Sequence, residues 1–386
     1  MKTINILGST GVIGQKALQI IDKEFKKYKI NYLLANNNYK LLAKQANYFK
    51  PKYLGIINSK NYFKLKKLIK NKKIKIVSGN ECYEILQKKV DNTILSISGI
   101  SALRFIKVII INSKSIGFVN KESLVSAGKF IINLSKKYNT LIVPLDSEHY
   151  SIYNYFINSI ENAKTVKRVF ITASGGPFLK INLNKLKSIS LKESLKHPTW
   201  KMGLKNTIDS STMVNKCLEI IEAHYLFDLP YSKLKIIIHP ESIVHSIITN
   251  NDGSISSNIS NNDMSVPIFG FLNKNNFYNK YCDVDLTKVK TLNFIKPDEK
   301  RFKVLKIFNQ IDKTSFSEII IFNTSNEIAV NLFIQNKIKF TDITKFIHNS
   351  LNKFKNYNIS NINGVIDLQN YVYDELLNNY NKYLIK

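Results

Sequence analysis

The stretch INILGSTGVIG, residues 4–14, joins a short apolar run to a segment with helical spacing that continues to about Asp22. A glycine-rich turn between a strand and a helix lets backbone N–H groups and the helix N-terminus approach a pyrophosphate. A purely structural glycine turn is the alternative. Because the turn directly follows a strand at the start of the chain, the pattern favours a dinucleotide-binding fold.

Strand-like and helix-like segments alternate through the rest of residues 1–145. Apolar runs alternate with lysine-rich segments of helical spacing, which is typical of a parallel, doubly wound α/β sheet. The predicted strands are Ile4–Leu7, Tyr32–Ala35, Tyr53–Ile57, Ile74–Val77, Thr93–Ile97, Ser115–Val119 and Thr140–Val143. We therefore expect an N-terminal Rossmann-like domain over residues 1–145.

Three further segments follow this domain. Residues 146–270 read as an α+β domain, with strands near Arg168–Thr172, Lys235–Ile238 and Ser242–Thr249 and a helix at about 211–227. The Asn- and Lys-rich stretch 271–300 is predicted to be a linker. Residues 301–386 have helical apolar spacing and predict a C-terminal α-helical domain.

The charge balance allows two interpretations. The 386 residues include 57 Lys+Arg and 28 Asp+Glu, a net charge of +29. Such a balance can indicate a nucleic-acid or anionic-membrane partner. However, the basic set contains only three arginines, and arginine is the residue preferred for bidentate recognition of bases and phosphates. We favour solvated lysines on an ordinary enzyme, with no nucleic-acid or membrane partner.

The cysteines and the N-terminus indicate the compartment. Three widely spaced cysteines with no CxxC pair predict neither a disulfide framework nor a zinc site. The chain enters a strand-like run at once, and it has no apolar stretch long enough for a membrane span. We expect a cytoplasmic protein.

Two carboxylates lie close together in Asp146-Ser147-Glu148-His149. In an extended segment, Asp146 and Glu148 would point to the same side and could share a Mg²⁺ or Mn²⁺ ion, because these cations take oxygen ligands. A solvated acidic surface is the alternative.

The segment from Asp209 to Glu219 combines hydroxyl, amide, ammonium and carboxylate groups. Its Asp-Ser-Ser start predicts a helix N-cap and hence an anion site. Asn215 and Glu219, four residues apart, would share one helix face with Lys216 beside them. A capped helix with a Lys–Glu pair is the alternative.

Two other segments are predicted to be ligand loops. Residues 172–178, TASGGPF, end a predicted strand and offer a hydroxyl beside flexible backbone. Residues 197–203, HPTWKMG, hold the only tryptophan, Trp200, and resemble a lid with a glycine hinge. A buried, packing tryptophan is the alternative.

In order along the chain, these motifs resemble those of the 1-deoxy-D-xylulose 5-phosphate reductoisomerase family. The resemblance includes GSTGVIG, NKESLV (120–125), DSEH (146–149), ASGGPF (173–178), HP (197–198) with Trp200, the 209–219 segment and IHP (238–240) with His245; NTSNE (323–327) extends it to the helical region. It implies NADPH- and metal-dependent isomerisation of 1-deoxy-D-xylulose 5-phosphate and its reduction to 2-C-methyl-D-erythritol 4-phosphate, in the non-mevalonate route to isoprenoid precursors. The partner is then a phosphorylated sugar, and the family suggests a homodimer.

The resemblance also assigns roles to residues. The implied Mg²⁺ or Mn²⁺ ligands are Asp146, Glu148 and Glu219; further catalytic residues are Lys121, His149, His197 and His245. The implied substrate contacts are Ser147, Ser174, His197, Trp200, Ser210, Asn215 and Lys216. The implied NADPH contacts are Gly8, Ser9, Thr10, Gly11, Val12, Ile13, Asn36, Asn37, Asn38, Asn120, Lys121, Glu122 and Gly203.

The chain departs from the family pattern at two places. Asn36-Asn37-Asn38 lacks a cationic grip on the 2′-phosphate of NADPH, although the absence of a carboxylate there mildly favours NADP over NAD. The family's Asp-Met-Arg-Thr-Pro-Ile becomes Asp263-Met264-Ser265-Val266-Pro267-Ile268, where we expect a structural effect. The competing hypotheses are another Rossmann oxidoreductase, such as a homoserine or semialdehyde dehydrogenase, and a basic nucleic-acid-binding protein.

Overall fold

A computed structural model describes residues 1–158, 163–196, 199–200, 203–273, 279–354 and 357–384. Its contacts divide the chain into two compact units. The first unit comprises Met1–Asn120, Ile131–Tyr150 and Asp263–Asp283; the second comprises Lys121–Phe130, Ser151–Asn262 and Val284–Lys386. The second unit therefore holds the C-terminal helices together with most of the 146–270 region. The four-part division into domains stays a prediction.

The first unit is built on a seven-stranded parallel sheet, which confirms the α/β prediction. Its strands are β1 Lys2–Leu7, β2 Tyr28–Ala35, β3 Tyr53–Ile56, β4 Lys75–Ser78, β5 Val90–Leu95, β6 Ser113–Phe118 and β7 Leu141–Pro144. The order is β4-β3-β2-β1-β5-β6-β7. The strand order reverses between β1 and β5, and ligands of such sheets bind at the carboxyl ends of the strands at this point.

The second unit contains a four-stranded mixed sheet. Its strands are β8 Val166–Ala173, β9 Leu234–Ile238, β10 Val244–Asn250 and β11 Ile255–Ile259. The order is β11-β10-β8-β9, with β8 and β9 parallel and β10 antiparallel to both of its neighbours. All ten predicted strands are thus present, within a few residues at their ends.

The helices complete both units. They are α1 Val12–Glu24, α2 Tyr39–Phe49, α3 Tyr62–Leu68, α4 Glu81–Ile85, α5 Leu103–Asn112, α6 Lys121–Tyr138, α7 Ser147–Asn158, α8 Leu191–Ser194, α9 Leu204–Thr212, α10 Val214–Phe227, α11 Ser265–Asn273, α12 Lys303–Gln310, α13 Phe316–Ile334, α14 Phe340–Lys353 and α15 Ile362–Asn378. The last four confirm the helical C-terminal region. Among the described helices, none has both the length and the apolar character that crossing a membrane requires.

Helix α13 is buried along most of its length and carries polar side chains into the second unit. Asn323 and Asn326 are completely buried. The Asn323 amide donates to the Ser126 hydroxyl at 2.9 Å, and the Asn326 amide donates to Asp209 at 2.9 Å. A buried polar side chain is tolerated when it is hydrogen-bonded, so these contacts fix α13 against α6 and α9.

Candidate active site

In the glycine loop after β1, Gly8 and Gly14 have no room for a side chain. Gly8 has a φ of +88°, and a Cβ there would lie 2.5 Å from the Ser96 carbonyl oxygen; a Cβ on Gly14 would lie 2.3 Å from the Gly8 oxygen. Gly11 is the N-cap of α1 and provides no side-chain cap. The first N–H groups of α1 are therefore available to an anion, which is the requirement for holding a pyrophosphate.

Other nucleotide candidates lie at the carboxyl edge of the same sheet. Asn36, Asn37 and Asn38 are exposed after β2, and the Asn38 side chain caps α2 by accepting from the Leu41 N–H at 3.1 Å. Asn120 is buried and donates to the carbonyl oxygens of Ile97 and Gly99, each at 2.9 Å. The Asn120 amide nitrogen therefore orders the loop after β5.

Asp146 and Glu148 lie at the start of a helix, so the prediction of an extended segment is wrong. Helix α7 begins at Ser147, and Asp146 caps it by accepting from the His149 N–H at 3.3 Å. Asp146 also contacts Nδ1 of the buried His149 at 2.9 Å, while Ser147 donates to Glu148 at 2.5 Å. The helix N-terminus favours both negative charges. Oxygen atoms of the two carboxylates lie within 4.8 Å of each other.

Glu219 is completely buried in the second unit and surrounded by donors. Lys121 Nζ lies 3.0 Å from one carboxylate oxygen, and Lys216 Nζ lies 2.8 Å from the other. The Asn215 amide also donates to Glu219, and Lys121 donates to Asn215 at 2.8 Å. The predicted shared face of Asn215 and Glu219 is therefore present. Two ammonium groups offset the cost of burying this carboxylate.

The predicted N-cap at Asp209 is wrong. Asp209 to Thr212 form the last turn of α9. The helix ends at Met213, whose φ is +71°, and α10 begins at Val214. A left-handed residue ends one helix and starts the next, so the hydroxyls of Ser210 and Ser211 do not cap α10.

The loop after β8 approaches this helix junction. Gly175 and Gly176 have φ values of +83° and +65°, and a Cβ on Gly176 would lie 3.1 Å from the Ser210 carbonyl oxygen. The Ser174 hydroxyl accepts from the Gly176 N–H at 3.1 Å. Arg301 holds the far side of the loop, because its Nη1 donates to the carbonyl oxygens of Phe178 at 2.8 Å and Ile181 at 2.5 Å. The structure therefore brings Ser174 and Ser210 to the same region of the second unit.

The predicted lid is described in part. His197 lies outside the described residues. The Trp200 ring contacts that of the buried His245, with centroids 6.3 Å apart, and His245 Nε2 lies 3.2 Å from the Ser260 carbonyl oxygen. Gly203 is the exposed N-cap of α9. Trp200 and His245 are thus neighbours within the second unit.

Sequence reasoning missed Lys205, which pairs with two buried carboxylates. Lys205 Nζ lies 2.9 Å from Glu122 and 2.7 Å from Asp209. Burial opposes the charge of Glu122, but the Lys205 ammonium lowers the pKa of Glu122 below its ordinary value. The same two carboxylates raise the pKa of Lys205, although burial alone would lower it. The spacing of four residues between Lys205 and Asp209 is a local signal for their ion pair, but the partner Glu122 is distant in the chain and cannot be identified from the sequence. The Glu122 carboxylate, assigned above to the nucleotide, is bound to this lysine.

Three family models match the chain. Residues 4–128 match the model described as 1-deoxy-D-xylulose 5-phosphate reductoisomerase, residues 142–227 match that enzyme's C-terminal domain, and residues 259–374 match a DXP reductoisomerase C-terminal domain.

Curated relatives and solved structures indicate the same family as the family models. The 1-deoxy-D-xylulose 5-phosphate reductoisomerase of Pelagibacter ubique is 39% identical, with 96% of this chain and 98% of the relative covered. That of Wolbachia pipientis from Culex pipiens is 38% identical, over 95% and 94%. The Zymomonas mobilis enzyme, solved with NADPH, superposes with a TM-score of 0.88 at 33% identity, covering 97% of each chain. A DOX-P reductoisomerase solved with NADPH, fosmidomycin and magnesium gives 0.89 at 31%, over 98% of this chain and all of the other.

Proposed function

The chain belongs to the 1-deoxy-D-xylulose 5-phosphate reductoisomerase family, and we propose that the residues described above carry out that family's reaction. The enzyme isomerises 1-deoxy-D-xylulose 5-phosphate and reduces the product with NADPH to 2-C-methyl-D-erythritol 4-phosphate, using a divalent metal ion. The observation that carries the residue assignment is the fully buried Glu219 with its two lysines. A buried carboxylate is costly and is kept where it binds a cation or a reacting group.

Asp146, Glu148 and Glu219 are the proposed metal ligands. All three offer carboxylate oxygens, which are the donors that Mg²⁺ and Mn²⁺ prefer, so the donor set fits the ion. When bound, the ion would act as a Lewis acid on the substrate carbonyl. Asp146 would orient His149, because its oxygen contacts the buried ring at Nδ1.

Lys121 and Lys216 have a double task in this proposal. Each ammonium contacts Glu219 and would, in this proposal, also donate to oxygens of the substrate. Lys216, with Asn215, Ser174 and Ser210, would bind the substrate phosphate where the loop after β8 meets the end of α9. Ser147, Trp200, His197 and His245 would complete the substrate contacts.

The first unit would bind NADPH. The bare N-terminus of α1 fits the pyrophosphate, and glycines at positions 8, 11 and 14 let it approach the backbone. Ser9, buried at the base of this loop, has a hydroxyl without a hydrogen-bond partner among the described residues. Residues 1–145 are the proposed NADPH domain, 146–270 the catalytic domain, 271–300 the linker and 301–386 the helical domain.

A cytoplasmic homodimer is the proposed state of the protein. Strand β11 is an edge of its sheet, and its Ile255 side chain is 69% exposed. An edge strand with an exposed apolar residue offers unpaired backbone groups to a second chain. Light scattering coupled to size-exclusion chromatography measures the mass; a monomer at micromolar concentration would contradict the proposal.

One experiment tests the activity and the metal assignment together. We expect oxidation of NADPH by 1-deoxy-D-xylulose 5-phosphate only when Mg²⁺ or Mn²⁺ is present, with 2-C-methyl-D-erythritol 4-phosphate identified by NMR. The Glu219→Gln variant should lose turnover and metal affinity but keep its NADPH affinity, because the carboxylate holds the ion and not the nucleotide.

The matched control is Asp252→Asn, which removes a carboxylate from an exposed turn of the second unit and should leave turnover unchanged. Turnover in the absence of a divalent metal ion would contradict the proposed reaction and would favour the activity of a different dehydrogenase. Loss of NADPH affinity in Glu219→Gln would contradict the role given to Glu219.

A further inference from the structure

The segment that should recognise the 2′-phosphate of NADPH contains no cation, yet a second loop is bonded to it. Asn36-Asn37-Asn38 follow β2, and Asn58 to Asn61 follow the neighbouring strand β3. The Asn58 amide donates to the Asn37 side chain at 2.8 Å, and the Asn61 amide donates to the Asn37 carbonyl oxygen at 3.1 Å. The Asn58 N–H also donates to the Asn36 carbonyl oxygen at 3.1 Å. The two loops therefore form one surface at the carboxyl edge of the sheet.

Lys60 lies in this second loop, between the two asparagines that contact Asn37. Its backbone N–H donates to the Asn58 side chain at 3.1 Å, which fixes the short 3-10 turn Ser59–Asn61. Lys60 is exposed, and within the described part of the chain its ammonium has no ion pair. No aspartate or glutamate occurs between Glu24 and Glu81. The positive charge of Lys60 is therefore not neutralised by any carboxylate that is close to it in the sequence.

A helix N-terminus adds to the positive field of this surface. Helix α2 is 11 residues long, begins at Tyr39 and is capped by the Asn38 side chain. The positive end of its dipole thus lies beside the three asparagines, and anions are favoured at such an end. A dianionic phosphate close to Asn37 would have side-chain amides and a helix N-terminus near it, and Lys60 lies on the loop that is hydrogen-bonded to Asn37.

We propose that Lys60 binds the adenosine 2′-phosphate of NADPH and supplies the cofactor specificity that the residues after β2 lack. This inference rests on the proposed function, because it assumes that the nucleotide lies at this edge of the sheet. Lysine binds phosphate as a flexible point charge, so an exposed lysine on a loop fixed by hydrogen bonds suits the role. Two other lysines lie near this surface: the Lys64 ammonium is engaged with the Tyr39 ring, 5.9 Å from its centroid, and Lys40 lies in the first turn of α2, so Lys40 is included in the test.

The test compares two adenine nucleotides that differ only in the 2′-phosphate. Calorimetry on the full-length protein should show tighter binding of adenosine 2′,5′-bisphosphate than of adenosine 5′-monophosphate. Lys60→Ala should weaken the bisphosphate about ten-fold and leave the monophosphate unchanged, since one exposed charge-assisted contact is lost. Lys60→Arg should restore most of the difference. In turnover, Lys60→Ala should lower the NADPH:NADH ratio of kcat/KM by a similar factor.

Lys72→Ala is the matched control, because Lys72 is an exposed lysine of the same acid-free stretch. Equal losses in Lys60→Ala and Lys72→Ala would show a general field and overturn the assignment. A wild-type protein that binds the two nucleotides equally, or a Lys40→Ala variant that alone loses the preference, would also overturn it. If metal-dependent turnover is absent in the wild type, the proposed function fails, while the binding comparison still decides the role of Lys60.

Discussion

The ion pairs of Lys205 give the most quantitative prediction. Lys205→Met keeps most of the side-chain volume but leaves Glu122 and Asp209, which are 5% and 1% exposed, without the ammonium that lies 2.9 and 2.7 Å from them. Removing one partner of a buried ion pair costs about 3–5 kcal/mol, because an uncompensated charge stays in a poorly solvated place. We expect the free energy of unfolding of the second unit to fall by about 4 kcal/mol.

The only tryptophan provides the assay. Trp200 belongs to the second unit, so its fluorescence during urea denaturation reports on the unit that contains Lys205. The surface variant Lys192→Met controls for the loss of a lysine, because Lys192 is exposed on α8. The triple variant Lys205→Met, Glu122→Gln and Asp209→Asn should recover much of the stability, because it removes the uncompensated charges as well.

The pH dependence provides an independent check. Because Lys205 lowers the pKa of Glu122 from its ordinary 4.5, the stability contributed by this pair is present above pH 4.5 and is lost as the pH falls through the lower folded-state pKa. The difference in the free energy of unfolding between wild type and Lys205→Met should therefore have its full size at pH 7 and become smaller below pH 4.5. A difference below about 1 kcal/mol at pH 7, as for an exposed pair, would refute the reasoning.

Two further predictions concern a loop and a carboxylate. Gly176→Ala should raise the KM for the phosphorylated substrate and leave NADPH affinity unchanged, because the added Cβ would press on the Ser210 carbonyl group. Gly253→Ala is the control for backbone strain, because Gly253 has a φ of +89° but an added Cβ there would have no atom within 4 Å. Equal effects in both variants would contradict the specific role of Gly176. Asp91→Asn should lower the melting temperature above pH 4, because hydrogen bonds from Lys114 and Thr3 lower the pKa of Asp91 to about 2, and the stability contributed is lost as the pH falls through that value. A melting-temperature difference that persists at pH 2 would contradict this origin.

The sequence predicted what depends on local periodicity. Apolar runs such as Ile4–Leu7 are long enough to identify each strand, and their alternation with helices fixes a parallel sheet. The face shared by Asn215 and Glu219 follows from helix geometry alone. These predictions required no knowledge of contacts between distant segments.

The errors and omissions arise where local signals compete or where partners are distant. The Asp-Ser-Ser cluster at 209 resembles an N-cap, but the left-handed Met213 moves the helix start beyond it. The prediction of an extended segment at Asp146 fails because an aspartate followed by Ser147 and Glu148 also satisfies the N-cap pattern that the structure adopts. The contact of Lys205 with Asp209 follows from their spacing on α9, but its contact with Glu122 exists only when α6 and α9 are packed together.

Arg301 has a consequence for sequence design in a chain whose basic residues are almost all lysine. One guanidinium nitrogen, Nη1, donates to two carbonyl oxygens of the loop after β8, and its two hydrogens are held in the guanidinium plane, whereas the three donors of a lysine ammonium rotate freely. Arginine and lysine are therefore not interchangeable at position 301. A designed variant in which lysine and arginine are exchanged should therefore keep Arg301, because the geometry of the loop beside Ser174 depends on the shape of the cation as well as on its charge.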